Sequence, residues 1–340
     1  MKVALITTTI YVPEVLQMYR EMDKDVMFFV SGDKKTPHTE TRSLVEKLGN
    51  AVYYSDKDQE KLGYRCSDII GWNKIMRRSI SLLEAIKYGA DIIVSIDDDN
   101  IPLDGTYFAD FVSVLSTPYS GLKASSHRGW FNIGDFMIPQ IYHRGYPYDL
   151  RNSNSNYLIS PTSGEKVGIA EGLWFGDPDI DAMERITNAP IVHRFSEVLR
   201  RGLVIDRMNF APINSQNTAY VRELAPLMMP LVGVGRYDDI WASYIAERVM
   251  MTTDYCCHFG KPFVWQERNP HNLWTNLKDE IFGMEYTLQF CQDLLATDLG
   301  QGTILNKLER LYQRLRNKDY LPPVFYELGK AWCEDLRDIM

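Results

Sequence analysis

Residues 92–100 read Ile92-Ile93-Val94-Ser95-Ile96-Asp97-Asp98-Asp99-Asn100. The first five are mostly β-branched and apolar, the pattern of a strand buried on both faces of a parallel sheet. The run then ends abruptly in three carboxylates. Ligands of open α/β sheets bind beyond the carboxyl ends of the strands, which is where these acids fall. In extended chain Asp97 and Asp99 point to one side and Asp98 to the other. Adjacent like charges disfavour one another's ionisation unless a cation offsets them. A hard divalent ion takes oxygen ligands and keeps sites for substrate phosphates. The stretch therefore reads as a metal site that also holds a diphosphate, with Asp97 and Asp99 as metal ligands and Asp97 and Asp98 facing the nucleotide. The bland alternative is a solvated acidic turn.

Working outward, residues 1–54 read as a βαβαβ start. Val3 to Thr7 is a strand, followed by a loop at Thr8 to Tyr11 and a helix from Pro13 to about Glu21. Val26 to Val30 and Ala51 to Tyr54 are further strands, with a helix over 39–48 between them. This order is that of nucleotide-binding sheets. Thr8 and Asp33, in the loops after the first two strands, are candidate nucleotide contacts, with turn capping as the alternative for Asp33. Neither G-x-G-x-x-G nor G-x-x-x-x-G-K-[ST] occurs, which argues against NAD or flavin binding and against a P-loop ATPase. Ile70 to Tyr88 reads as one long helix ending at Gly89. It places Arg77 and Arg78 on a solvated face, while Asn73 and Lys74, near its start, are candidate anion contacts.

Residues 117–180 show no long period and are rich in Gly, Ser, Asn, Pro and aromatics, the signature of extended active-site loops. Here lies Arg144-Gly145-Tyr146-Pro147-Tyr148-Asp149-Leu150-Arg151, two arginines flanking a turn. Arginine grips phosphate bidentately. Asp177, Asp179 and Asp181 lack EF-hand spacing and suit capping and loop roles. Trp174 is a candidate sugar platform or a core residue. Phe210 to Tyr220 reads as a strand interrupted by amides. Asp238 and Asp239 follow the Gly233-Val234-Gly235 turn and open an amphipathic helix carrying Trp241 and Tyr244. One of the pair suffices as a cap, which leaves the other to orient a hydroxyl or act as a base. Lys261 to Gln266 reads as a strand, and His271 beyond it is a candidate third metal ligand. Cys256-Cys257-His258 reads as buried chain.

The composition is that of a globular protein: 340 residues, 45% hydrophobic, net charge −8. The acidic balance argues against nucleic acid or an anionic membrane as partner. Five cysteines without a C-x-x-C pair suggest a reducing compartment. The N-terminal apolar run is read as a strand and not a leader, and no run has membrane-spanning length, so a cytoplasmic location is expected. The expected organisation is a catalytic domain over 1–277 and a helical extension over 278–340, the latter a cap or a contact for a second copy of the chain.

Taken in order, several segments resemble the reversibly glycosylated polypeptide family, which includes UDP-arabinopyranose mutases. They are the strand with Asp97-Asp98-Asp99, Arg144-Gly145-Tyr146-Pro147 with Leu150-Arg151, Gly172-Leu173-Trp174 with Asp177-Pro178-Asp179 and Asp181-Ala182, and Gly235-Arg236-Tyr237-Asp238-Asp239 with Trp241. The helix before the acidic strand also looks like that of STELLO-type glycosyltransferase-like proteins. The family resemblance implies an α/β fold, a GT-A type Rossmann-like nucleotide-sugar-binding domain with a C-terminal helical extension. It implies a UDP-sugar substrate, Mn2+ or Mg2+ at the acidic triad, and no flavin. It also implies reversible glycosylation of an arginine, which maps onto Arg144 with Arg151 as its partner. The function implied is a pyranose–furanose mutase acting on UDP-arabinopyranose. The alternatives are a transferase to a separate acceptor, with Asp238 or Asp239 as base, and a non-catalytic nucleotide-sugar-binding subunit. Two departures stand out. The plant proteins carry a His after the tryptophan matching Trp265 where this chain has Gln266, and residues 286–340 do not follow the family clearly.

Overall fold

The computed structural model describes residues 1–151, 156–268 and 272–340. Its first half is built as expected. Strand β1 (Val3–Thr9), helix α1 (Leu16–Met22), β2 (Met27–Gly32), α2 (His38–Leu48) and β3 (Ala51–Tyr54) lead to α3 (Asp56–Leu62), α4 (Arg65–Ile70), α5 (Arg78–Tyr88) and β4 (Ile92–Ile96). β4 pairs in parallel with β1, β1 with β2 and β2 with β3, giving the order 3-2-1-4 of a nucleotide-binding sheet. The apolar side chains of 92–96 are all buried, so the acids that follow emerge at the sheet's carboxyl edge.

The chain continues through β5 (Asn100–Pro102), α6 (Tyr107–Ser116), β6 (Tyr119–Ser126), β7 (Met137–Ile138), β8 (Tyr157–Gly176) and α7 (Ala182–Thr187). Then come β9 (Arg194–Phe195), α8 (Glu197–Arg201), β10 (Leu203–Ile205), β11 (Asn217–Val221), α9 (Asp238–Met250) and β12 (Tyr255–Gln266). β11 runs antiparallel to β4 and carries the sheet on through β8, β6, β10, β12 and β5 to ten strands. This is the mixed α/β architecture expected, with helices α10 (Leu273–Ala296), α11 (Ile304–Leu315) and α12 (Pro323–Ile339) at the C-terminus. Among the described residues no helix is long and apolar enough to cross a membrane.

Several local readings change. The stretch 70–88 is not one helix: α4 ends at Ile70, the chain breaks over 71–74, and α5 begins at Arg78 after a short 3-10 turn at Ile75–Arg77. Gly71 and Asn73 both take positive φ, which an α-helix forbids, and the chain between them is pinned by backbone contacts to Asp33. Arg77 and Arg78 are buried rather than solvated. Arg77 fills the space between α4 and α5, donating to Gln59 Oε1, Ser67 O and Ser67 Oγ. Residues 117–180 are not mainly loop, because they contain β6 and the 20-residue β8. Thr8 lies within β1, and the strand read over 210–220 is confined to β11. Helix α9 is buried nearly all round, since α10 and α11 cover it. Trp241 stacks on Phe290 at 4.1 Å and donates to Thr287 Oγ1 at 2.9 Å.

The last helix meets α4 through three acids around Arg65, Glu334, Asp335 and Asp338, of which Asp335 is the buried one. Asp335 is buried, and its carboxylate accepts the backbone N–H groups of Arg65 and Cys66 at 3.0 and 2.9 Å, capping α4. Arg65 Nη1 adds a third contact at 3.0 Å. Removing a buried acceptor of this kind leaves donors without partners. Asp335→Ala is therefore expected to cost about 2–3 kcal/mol of unfolding free energy in a urea titration. An unchanged midpoint would mean that α12 is not coupled to the rest of the fold.

Candidate functional site

Each carboxylate of the acidic turn has its own restraint. Asp97 Oδ1 takes the Nη2 of Arg78, whose Nη1 donates to Ser95 Oγ and Ser215 O. Asp98 accepts from the Thr9 hydroxyl. Asp99 Oδ1 accepts from Gln266 Nε2 at 3.2 Å. Burial, joined by Asp97 and Asp98, pushes the Asp99 carboxyl up to about 7. Burial also raises Asp98. These acids strain against their own charge and call for a cation. Among the described residues no three His, Cys, Asp or Glu side chains form a ready cation cage. His271 lies outside the described residues.

Arg144 sits at the centre of a clamp. Its Nε and Nη2 donate to Asp179 at 2.8 and 3.0 Å, and its Nη1 and Nη2 to Asp239 at 3.0 and 3.2 Å. Nη1 also donates to the Arg236 carbonyl. All five N–H donors of the guanidinium are thus engaged. Burial alone would discharge it, but Asp179 and Asp239 overcome this and hold it charged. Gly145 next to it takes φ +96, and a Cβ there would meet Ile240 Cγ2 at 2.3 Å, so only glycine lets this loop lie on α9. Asp239 closes a path back to the acidic turn, because its Oδ2 accepts the Ser215 N–H at 3.2 Å. Its neighbour Asp238 is pushed up to about 7 by burial and then by Asp239.

The remaining expected residues are more dispersed. Arg151 binds Asp181 Oδ2 at 2.6 Å, packs on the Tyr148 ring at 3.8 Å, and so braces the start of α7. Asp181 also caps that helix, and Trp174 is wholly buried, the core alternative of its reading. Asp33 spends its carboxylate on the N–H groups of Lys34, Asn73 and Lys74. That is the turn-capping reading, and it leaves the Asn73 and Lys74 side chains exposed. The Thr8 hydroxyl donates to Ser31 O at 2.8 Å, joining β1 to β2. Arg78, Asp179, Ser215 and Arg268 were not read from the sequence as site residues.

The model of the reversibly glycosylated polypeptide family matches residues 2–304. The chain belongs to that family. UDP-arabinopyranose mutase 1 of Oryza sativa subsp. japonica is 28% identical over 347 residues, spanning 97% of this chain and 89% of that protein. A probable UDP-arabinopyranose mutase 1 of Pisum sativum is 30% identical over 259 residues, 71% of this chain and 66% of that protein. Among solved structures, the glucosyl-3-phosphoglycerate synthase of Mycobacterium tuberculosis with Mn2+ and UDP-glucose aligns at TM-score 0.46 and 11% identity, over 86% of this chain and 79% of that one. The family match extends through α10, further than the segments read from the sequence reach. Gln266, the residue after Trp265, places its amide against Asp99.

Behind the clamp a buried pair carries no exposed face. His143 donates from Nδ1 to Arg144 O at 2.7 Å, and its Nε2 stands 3.5 Å from Glu171 Oε1 on β8. Burial, partly offset by His143, pushes Glu171 up to about 7. Burial would lower His143, but Glu171 outweighs it and raises the imidazole. Glu171 holds a proton in the folded state that the unfolded chain has released, so its contribution to stability falls as pH rises from about 5 to about 7. Glu171→Gln should flatten that decline in urea midpoints measured across the range, and a slope identical to the parent's would show that Glu171 does not carry it. At Arg144 the expectation is different. Arg144→Ala leaves two buried carboxylates without their cation and should cost about 3–5 kcal/mol, read in the same titration.

Proposed function

We propose that this chain is a UDP-sugar enzyme of the mutase kind, converting UDP-arabinopyranose to its furanose form without flavin. The observation that carries the reading is the joining of the acidic turn at the end of β4 to the arginine clamp through Arg78, Ser215 and Asp239. Family membership supports it, as do relatives named for that activity.

A divalent cation, Mn2+ or Mg2+, fits the residues present. Asp97 and Asp99 offer carboxylates. Gln266 and Asn100, paired across β12 and β5, each hold a buried amide oxygen without a hydrogen-bond partner. Oxygen donors of this type suit a hard ion that leaves positions for phosphate. When bound, the ion would stabilise negative charge on the departing diphosphate. Asp97 is oriented by Arg78, and the Thr9 hydroxyl orients Asp98. Asp238, with its carboxyl at about 7, is suited to move a proton to or from a sugar hydroxyl near neutral pH. In this reading the bond from C1 to the diphosphate oxygen breaks, the sugar's 4-hydroxyl oxygen bonds C1 as it gives up its proton, the C1–O5 bond opens with O5 taking up a proton, and the diphosphate oxygen returns to C1 of the furanose.

Self-glycosylation at Arg144 would require the clamp to open first, because a nitrogen engaged as donor to two carboxylates has no lone pair to offer. That feature favours a second reading, transfer of the sugar to a separate acceptor held by the loop over 143–151. The deciding experiment is incubation with UDP-arabinopyranose and Mn2+, followed by separation of the nucleotide sugars. UDP-arabinofuranose is the expected product; free UDP without ring conversion would overturn the mutase in favour of a transferase. In the same assay Asp99→Asn is expected to weaken cation-dependent UDP-sugar binding by roughly tenfold or more. Unchanged binding would remove the cation from the acidic turn.

A further inference from the structure

One cation at the edge of this site has loose ion pairs but, among the described residues, no hydrogen bond from its buried Nε and Nη2. Arg268 follows β12 directly, two residues after Gln266. Its side chain is 14% exposed, and its Nε and Nη2 are buried with no hydrogen-bond partner among the described residues. The nearest carboxylates are Asp177 Oδ2 at 3.9 Å and Asp179 Oδ1 at 4.0 Å, beyond hydrogen-bonding reach. Asp179 has both oxygens on Nε and Nη2 of Arg144, and Asp177 has Oδ1 on Arg185, which leaves only its Oδ2 facing Arg268. Arg268 also stands near enough to Asp99 to oppose the burial that raises that carboxyl.

We infer that Arg268 is an anion-binding residue whose missing partner is the diphosphate of the substrate. The inference rests on the nucleotide-sugar reading for the identity of the substrate, but not for the presence of an anion site. The argument is one of satisfaction. Buried N–H groups of a guanidinium are costly when unpaired, and native proteins leave few of them so. The planar fork of arginine matches two oxygens of a phosphate at once. Arg268 sits where an anion drawn to a cation at Asp97 and Asp99 would meet it, between the Asp99 and Asp179 ends of the site. A structural ion pair is the competing account, and it predicts something different. Arg268 would then hold Asp177 and Asp179 in place, and its loss would destabilise the free protein.

The test uses the full chain with Mg2+ and titrates inorganic pyrophosphate, UDP and uridine by calorimetry, for the parent, Arg268→Ala and Arg268→Lys. Thermal midpoints without ligand are measured alongside. The inference expects Arg268→Ala to weaken pyrophosphate and UDP about 10- to 100-fold, with uridine unaffected. Arg268→Lys, a point charge without the fork, should recover part of the loss. The free protein should melt no lower than the parent, because Asp177 and Asp179 keep Arg185 and Arg144 as their hydrogen-bonded partners. Equal pyrophosphate affinity in Arg268→Ala, or a lowered midpoint with equal affinity, overturns the inference. Parent protein that binds pyrophosphate but not UDP, with the loss in Arg268→Ala, keeps the anion site and overturns the nucleotide-sugar reading. Binding of neither overturns both.

Discussion

The site depends on an alternating line of charge laid across the carboxyl edge of the sheet. Asp97 meets Arg78, Arg78 meets the Ser215 carbonyl, the Ser215 N–H meets Asp239, Asp239 meets Arg144, and Arg144 meets Asp179. Each link joins segments far apart in sequence: α5, the turn after β4, the chain before β11, the start of α9, the loop at 143–151 and the chain after β8. Three adjacent acids at a strand end would repel one another apart. Arg78, bonded to Asp97, and Arg268, near Asp99, offset part of that repulsion. Buried charges cost several kcal/mol each to desolvate and repay it only with full hydrogen bonding. The five satisfied donors of Arg144 meet that condition, and Arg268 does not.

How much of this could be read from the chain follows from the range of the interactions. The strand at 92–96 and its acids were legible because burial on both faces leaves a local signature, a β-branched run. The parallel order of the first four strands was legible for the same reason. Arg78 was not, because a helical wheel drawn through 70–88 assumes one helix. The break at Gly71 and Asn73 comes from Asp33, some forty residues earlier, whose carboxylate holds the strap. With the helix divided, the face assigned to solvent turns inward. β8 escaped for another reason. Its first half alternates weakly with Pro161 and Gly164 inside it. Its second half is buried on both faces yet carries Glu171, which no strand pattern predicts without His143 opposite.

Arg144 and Arg151 were both singled out from one short segment, and the structure gives them different surroundings. Arg144 lies in the line of charge, whereas Arg151 pairs with Asp181 and Glu184 under two tyrosine rings. Spacing along a loop does not say which carboxylates will meet each side chain; only the packing of α7 and α9 does. Gln266 is similar. As a sequence difference it looked like the loss of a ligand, but its amide bonds Asp99 through nitrogen and keeps an unpaired oxygen beside that of Asn100. An oxygen donor thus remains at the position, though of a harder kind than an imidazole nitrogen.

The closed clamp constrains any covalent role for Arg144. A guanidinium becomes a nucleophile only when one nitrogen loses a proton and is released from its acceptors. Here Asp179 and Asp239 act together to keep every proton in place. Opening one side would cost on the order of 3–5 kcal/mol, the scale of breaking a buried pair. Binding energy from the distant part of a substrate can meet a cost of that size, since interactions remote from the reacting bond are available to distort the site. Asp239 is the side that can give way. It also contacts Ser215, and through that residue senses Arg78 and the acidic turn. Asp179, with both oxygens on Arg144 and almost no exposure, meets the acidic turn only through the looser approach of Arg268 at 4.0 Å. Asp239 is thus the carboxylate common to the line from the acidic turn and to the clamp on Arg144.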